Sequence, residues 1–170
     1  MKNFAELTER EVLAVAISSE EEDSRIYMSF AEDLAKRYPD TAKVFEEMAE
    51  EESGHRHRLL ELYEQRFGPH LPPIRREDVK GFLRRRPIWL TKNLSLDAIR
   101  KEVETMELQA ERFYAKASER AEDVGVRRLL GDLAEEEKGH EKLAAKLTNQ
   151  ILSPDVREAE DRTRRRLFVL

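Results

Sequence analysis

The 170-residue chain contains no cysteine. That excludes disulfides, zinc ribbons and thiol catalysis. Glycine and proline are scarce, six of each, so few positions interrupt a long helix. No stretch approaches the roughly 18 apolar residues of a membrane span. The opening "MKNFAELTEREV" also lacks the apolar core of a signal peptide, so a soluble chain in an intracellular setting is expected. Positive charge is not in surplus either: the formal net charge is −5, which argues against nucleic acid as a partner. What remains is 39% charged and 39% hydrophobic residues, with Glu, Ala, Leu, Arg and Lys dominant. This balance suits long amphipathic helices around one sizeable core.

Thr8 opens "TERE", a capping box in which Thr8 and Glu11 satisfy each other's free backbone donors. Leu13, Ala16, Ile17, Tyr27, Ala31 and Leu34 follow at helical spacing until Pro39 stops the run. A second helix from about Asp40 carries Val44, Phe45, Met48, Leu59 and Leu62 and ends before Gly68. Ser95 caps a third, through Val103, Leu108, Phe113, Tyr114 and Ala117. The fourth runs from about Val126 through Leu129, Leu130, Leu133, Ala144 and Leu147 to Ser153 and Pro154. Short turns join the first pair and the second pair, which makes each an antiparallel hairpin. Between the pairs lies a connector (66–95), with a short helix expected around Asp78 to Arg85. The expected fold is therefore an all-α four-helix bundle of two helical hairpins with one long crossover connection. Residues 1–152 form that domain. Residues 153–170 form a short C-terminal helix and linker, with Ser153 as its cap.

The two halves repeat. "EEEDSRIY", from Glu20 to Tyr27, corresponds to "ELQAERFY", from Glu107 to Tyr114. "MAEEESGH", ending at His55, corresponds to "LAEEEKGH", ending at His140. A Glu and a Tyr seven apart lie only about 20° apart around a helix, on one stripe. Glu52 and His55 share a face at i,i+3, as do Glu137 and His140. All of these faces are otherwise apolar. Four carboxylates and two imidazoles are thus sent into the bundle, where each uncompensated carboxylate would cost several kcal/mol. No Lys or Arg occupies the stripes, which leaves protons or metal ions as the neutralising charge. One Glu from each of two helices plus Glu-x-x-His from each of the other two is the donor set of carboxylate-bridged di-iron and di-manganese bundles. Two divalent cations balance four carboxylates. Iron or manganese suits these ligands, and zinc can bind them without redox chemistry.

The spacing resembles that of the rubrerythrin and ferritin-like family. More closely, "ISSEEEDSRIYMSFAEDL", "FEEMAEEESGHRHRLLELY", "RRRPIWLTKNLSLD" and "LLGDLAEEEKGHEKLAAKL" resemble the bacterial membrane-bound ferritins. There an erythrin-type domain precedes a membrane domain similar to vacuolar iron transporters. The resemblance implies a domain on the cytoplasmic side of the inner membrane that binds two iron ions and oxidises Fe²⁺ with O₂ or H₂O₂. It also implies a part in iron export and oxidative stress, with the membrane reached through a C-terminal domain beyond this chain. By that match Glu20, Glu52, His55, Glu107, Glu137 and His140 are the iron ligands, with Glu52 and Glu137 bridging. Glu104 matches a further glutamate of rubrerythrins. The departure from rubrerythrin is the missing Cys-x-x-Cys pair, hence no rubredoxin-like electron donor. The alternative function is a non-catalytic iron-loading or sensing module that governs transport.

Other features carry two readings each. Tyr27 and Tyr114 either hydrogen-bond a metal carboxylate, with or without a redox role, or are core aromatics with a satisfied hydroxyl. Gly54 and Gly139, just before each histidine, suggest that a backbone or second subunit passes close, or else reflect a duplicated ancestor. The acid clusters at Glu20 to Asp23 and Glu46 to Glu52 either guide Fe²⁺ inward or are solvated faces. His57 and His70 belong to the surface and a loop. Arg25 and Arg112 suit ion pairs away from the ligand stripe. "RRRPIW" and "RTRRRLFVL" are basic with apolar neighbours, as beside a membrane, or form an ordinary basic tail. The connector suggests a homodimer, with hairpin exchange between subunits as a variant.

Overall fold

A computed structural model describes residues 1–81 and 85–151, excluding the side chains of 141–151. Four helices dominate it: α1 (Glu9–Leu34), α2 (Pro39–Phe67), α3 (Leu96–Arg120) and α4 (Val124–Ile151). Each is roughly 40 Å long at 1.5 Å per residue. The start of α1 is the expected capping box: Glu11 N donates to Thr8 Oγ1 at 3.2 Å, and Thr8 N donates to Glu11 Oε2 at 3.0 Å. Ser95 Oγ accepts from Ala98 N at 3.2 Å and caps α3. Asp123 Oδ1 accepts from Val126 N at 3.0 Å, which starts α4 two residues earlier than the apolar pattern alone indicates. Gly68, at φ 79°, ends α2, a backbone region open to glycine at little cost.

α1 packs on α2 and α3 on α4, as hairpins. The bundle of two hairpins with a crossover connection is as expected. The interior has two apolar clusters. One gathers Leu13, Ile17, Leu59, Tyr63, Phe113, Leu130 and Leu133. The other gathers Ile26, Phe30, Leu34, Phe45, Met48, Ile99, Val103 and Met106. Each fully buried side chain of this size contributes about 1.5–3 kcal/mol by leaving water. Along α1, α2 and α3 the polar repeat falls between these clusters, and on α4 it follows the residues of the first.

The connector departs from its expected form. Arg76–Asp78 make a single 3-10 turn. Val79 then pairs with Lys2 through an isolated parallel bridge, and Gly81 takes φ 90°. A helix cannot continue through that sequence of conformations. Residues 82–84, and the final helix expected from Ser153, lie outside the described residues. Ile88–Leu90 form another 3-10 turn with Trp89 exposed. Among the described residues no helix is long and apolar enough to cross a membrane.

What anchors the connector is a buried charge cluster absent from the sequence-based expectations. Asp23 on α1 receives Arg76 Nη1 and Nη2 at 3.2 and 3.1 Å, and Arg85 Nε and Nη2 at 2.8 and 2.9 Å. Arg85 also donates to Gln109 Oε1 at 2.6 Å, which ties the connector to α3. Burial pushes the Asp23 carboxyl up, but the Arg85 and Arg76 guanidiniums override it and hold its pKa below the ordinary value. Part of the Glu20 to Asp23 acid run is therefore not a solvated face, since Glu20 and Asp23 are both buried.

Candidate metal centre

The 3.6-residue period sends Glu20 from α1, Glu52 and His55 from α2, Glu107 from α3, and Glu137 and His140 from α4 to the level between the apolar clusters. All six are buried. Their donor atoms form two groups: Glu20, Glu52, His55 and Glu137, and Glu52, Glu107, Glu137 and His140, each within 4.8 Å. The two shared residues are both glutamates, and each turns one oxygen to each group. His55 Nδ1 lies 3.1 Å from Glu52 Oε2, 3.0 Å from Glu137 Oε1 and 3.5 Å from Glu20 Oε2. His140 Nδ1 lies 3.5 Å from Glu52 Oε1, 3.4 Å from Glu107 Oε2 and 3.9 Å from Glu137 Oε2. The imidazoles stack with centroids 5.8 Å apart.

These close approaches are not satisfied hydrogen bonds. His55 Nδ1, His140 Nδ1, Glu107 Oε2 and Glu137 Oε1 are buried without a hydrogen-bond partner. Orphaned polar atoms of this kind, facing one another in a dry interior, are costly unless a cation sits among them. Mixed carboxylate oxygen and imidazole nitrogen fits iron, manganese or zinc.

The surrounding hydrogen bonds are crossed between the halves. Tyr27 of α1 donates to Glu107 of α3, and Tyr114 of α3 donates to Glu20 of α1. Burial, then the facing carboxylate, pushes each phenol well above its ordinary pKa, so both remain donors. The tyrosines therefore do touch the carboxylates of the centre. His55 Nε2 meets Glu136 of α4 at 3.0 Å, while His140 Nε2 meets Glu51 of α2. Arg58 forks onto Glu136 at 3.0 and 2.6 Å. A carboxylate on the outward nitrogen orients an imidazole and raises its basicity toward a metal. Sequence reasoning missed Glu51 and Glu136, although the signal was present: each copy of the repeat has an extra Glu one residue before its ligand glutamate.

Glu104 is not brought in. It is half-buried, outside both donor groups, and 3.8 Å from Arg100 on its own helix. His57 is exposed and pairs with Glu61 at 3.3 Å, and Arg25 pairs with Glu21 at 2.6 Å. The suggestion of a close neighbour at the glycines finds no support among the described residues: there a Cβ at Gly54 or Gly139 would meet nothing within 4 Å. Both are exposed helix positions. Gly54→Ala and Gly139→Ala are each expected to stabilise the fold by about 1 kcal/mol in urea unfolding.

A sequence profile described as rubrerythrin matches residues 11–148. The chain belongs to the rubrerythrin family. All six donors of this rubrerythrin-family domain, and nearly the whole of both hairpins, fall within the matched span. A solved structure of a hypothetical protein from Pyrococcus furiosus superposes with a TM-score of 0.71, at 24% identity, covering 88% of this chain and 93% of that one. It supports the fold alone. No curated protein matches the chain by sequence.

The charge state of the rubrerythrin-family centre without metal follows from burial. Burial, then Glu52, pushes Glu20 and Glu137 well above the carboxylate range. Burial also opposes ionisation of Glu52, yet the adjoining Glu20 carboxyl and the two facing imidazoles hold its pKa low. Burial alone would lower the histidines, but Glu137, Glu20 and Glu52 raise His55, and Glu107 and Glu52 push His140 up to about 12. Protons thus stand in for cations. All four raised groups favour the folded state while protonated, so their stabilisation is full below their unfolded values and declines as pH rises toward the folded ones. The melting temperature of chelator-treated protein is expected to fall from about pH 6 to about pH 9. Saturating Mn²⁺ should abolish that slope, because metal binding itself releases these protons. A flat profile without metal would contradict this charge assignment.

Proposed function

We propose that the chain binds two iron ions between its hairpins and oxidises Fe²⁺ with O₂ or H₂O₂. One observation carries the reading: Glu52 and Glu137 are shared by two donor groups, each offering one oxygen to each. Glu20 and His55 complete one position, and Glu107 and His140 the other. When bound, iron supplies the one-electron steps. The residues supply the rest. Four carboxylates favour the higher charge of the ferric state by direct Coulomb attraction in a low-dielectric interior. Tyr27 and Tyr114 hold Glu107 and Glu20 in place by hydrogen bonds, and Glu136 and Glu51 fix the imidazole rings. The apolar clusters on either side limit water at the centre.

The likeness to membrane-bound ferritins supports placing this oxidation before export of iron through a membrane domain. The test is anaerobic Fe²⁺ titration followed by H₂O₂ or O₂, with ferrous iron measured by a chromogenic chelator. Binding of two equivalents and rapid ferrous loss are expected. Reversible binding with ferrous iron retained would favour a loading module, and no binding would remove both readings.

A further inference from the structure

Beside Glu20 and Tyr114 lies a crevice of about 20 Å³ between α1 and α3, walled by the connector through Arg76 and Arg85 and lined also by Asp23 and Gln109. A site needs roughly 10–15 Å³ to hold one water molecule, so this one admits a molecule of about that size. Its polar wall is not closed. Arg85 Nη1 donates to Gln109 Oε1 at 2.6 Å. A guanidinium cannot accept, so the amide orientation is fixed and Nε2 is the group left over. Gln109 Nε2 is buried and has no hydrogen-bond partner among the described residues. The two oxygens of Asp23 are both taken by guanidinium N–H groups, so Asp23 offers that donor nothing. An acceptor small enough for the crevice would satisfy it.

We propose that this crevice seats a single small hydroxylic molecule, water at rest and hydrogen peroxide when present, held by Gln109 Nε2 next to Glu20. Water and peroxide share the chemistry required, an oxygen acceptor with an O–H to give, and both fit. The seat would place an oxidant against the Glu20 side of the centre, on a path separate from the exposed glutamates of α2. Its peroxide arm rests on the function proposed above, and its water arm does not.

The water arm is a crystal structure of metal-free protein. Ordered solvent is expected about 2.7–3.2 Å from Gln109 Nε2, and is expected to be lost in Gln109→Leu. An empty crevice in the wild type would overturn the proposal. The peroxide arm uses protein loaded anaerobically with Fe²⁺. Gln109→Leu should slow ferrous loss to H₂O₂ by about tenfold, the effect of one hydrogen bond, with Fe²⁺ affinity unchanged. Gln109→Met, which keeps the length of the side chain but removes the donor, should do the same and guards against a folding defect in the leucine variant. Unchanged peroxide kinetics in both variants would overturn the oxidant role. Failure to bind Fe²⁺ at all would sink the functional reading while the crystallographic result still decides the seat.

Discussion

Replacing Glu52 by alanine is expected to weaken Mn²⁺ binding at both positions together, whereas Glu20→Ala weakens one. Mn²⁺ serves as a probe that air does not oxidise quickly. The reasoning is geometric: Glu52 gives Oε2 to the His55 group and Oε1 to the His140 group, while Glu20 belongs to the first alone. Loss of a residue that merely orients a ligand costs about 10–100-fold in metal affinity. Loss of a shared carboxylate removes a donor and a charge from two positions, so the decrease should exceed roughly 100-fold, the upper end of that range. Calorimetry should show a stoichiometry of two in wild type and one in Glu20→Ala, with no measurable uptake in Glu52→Ala. Equal stoichiometry in the two variants would show that Glu52 does not bridge. The positioning glutamates set a scale between these extremes: Glu136→Gln should lower affinity by the roughly 10–100-fold of an orienting partner.

The largest stability effect is expected at Asp23. Asp23→Ala leaves Arg76 and Arg85 buried, with side-chain exposures of 5% and 3%. Gln109 retains part of Arg85 and Ser19 part of Arg76, at 3.2 Å, without charge, and the partly exposed Glu22 remains near Arg76 at 3.8 Å but does not reach hydrogen-bond distance. Removing one partner of a buried ion pair costs about 3–5 kcal/mol, a large share of the stability of a domain this size. Urea unfolding of metal-free protein should show that loss. A change below about 1 kcal/mol, the level of a surface pair, would mean that the cluster is solvated. The sign with pH is opposite to that of the centre. The Asp23 pKa is held low in the fold, so its contribution is present above the ordinary carboxylate value and disappears as pH falls through the folded one.

Those two residues also mark what was legible in the sequence. Glu52 was legible because a periodic fold converts spacing into direction: i,i+3 pairs on an apolar stripe have nowhere to point but inward. The same rule, applied twice in a duplicated chain, led to the bundle, the hairpins and the six converging donors. Asp23 was not legible. Its partners lie 53 and 62 residues away in a connector without periodicity, and nothing local distinguishes it from the partly exposed Glu21 and Glu22 beside it. Glu51 and Glu136 fall between these cases. They recur in both copies, but each acts on the histidine of the other hairpin, so no local pattern reveals the partner. Glu104 shows the opposite error, since a matching residue type does not ensure a matching orientation. The glycines before each histidine recur without a steric reason within the chain.

The interior is cut across its middle by the six donors, with one hydrocarbon cluster on each side. Greasy packing therefore cannot run unbroken from end to end, and the waist of the rod coheres through the crossed hydrogen bonds of Tyr27, Tyr114, His55 and His140 and through whatever charge is lodged there. Two ions would act as a rivet between the hairpins, and protons as a weaker pin. Stiffness at mid-length then reports the iron supply: amide exchange around Glu20 and Glu107 should slow on loading, while the first turns of α1 and α3 keep their pace.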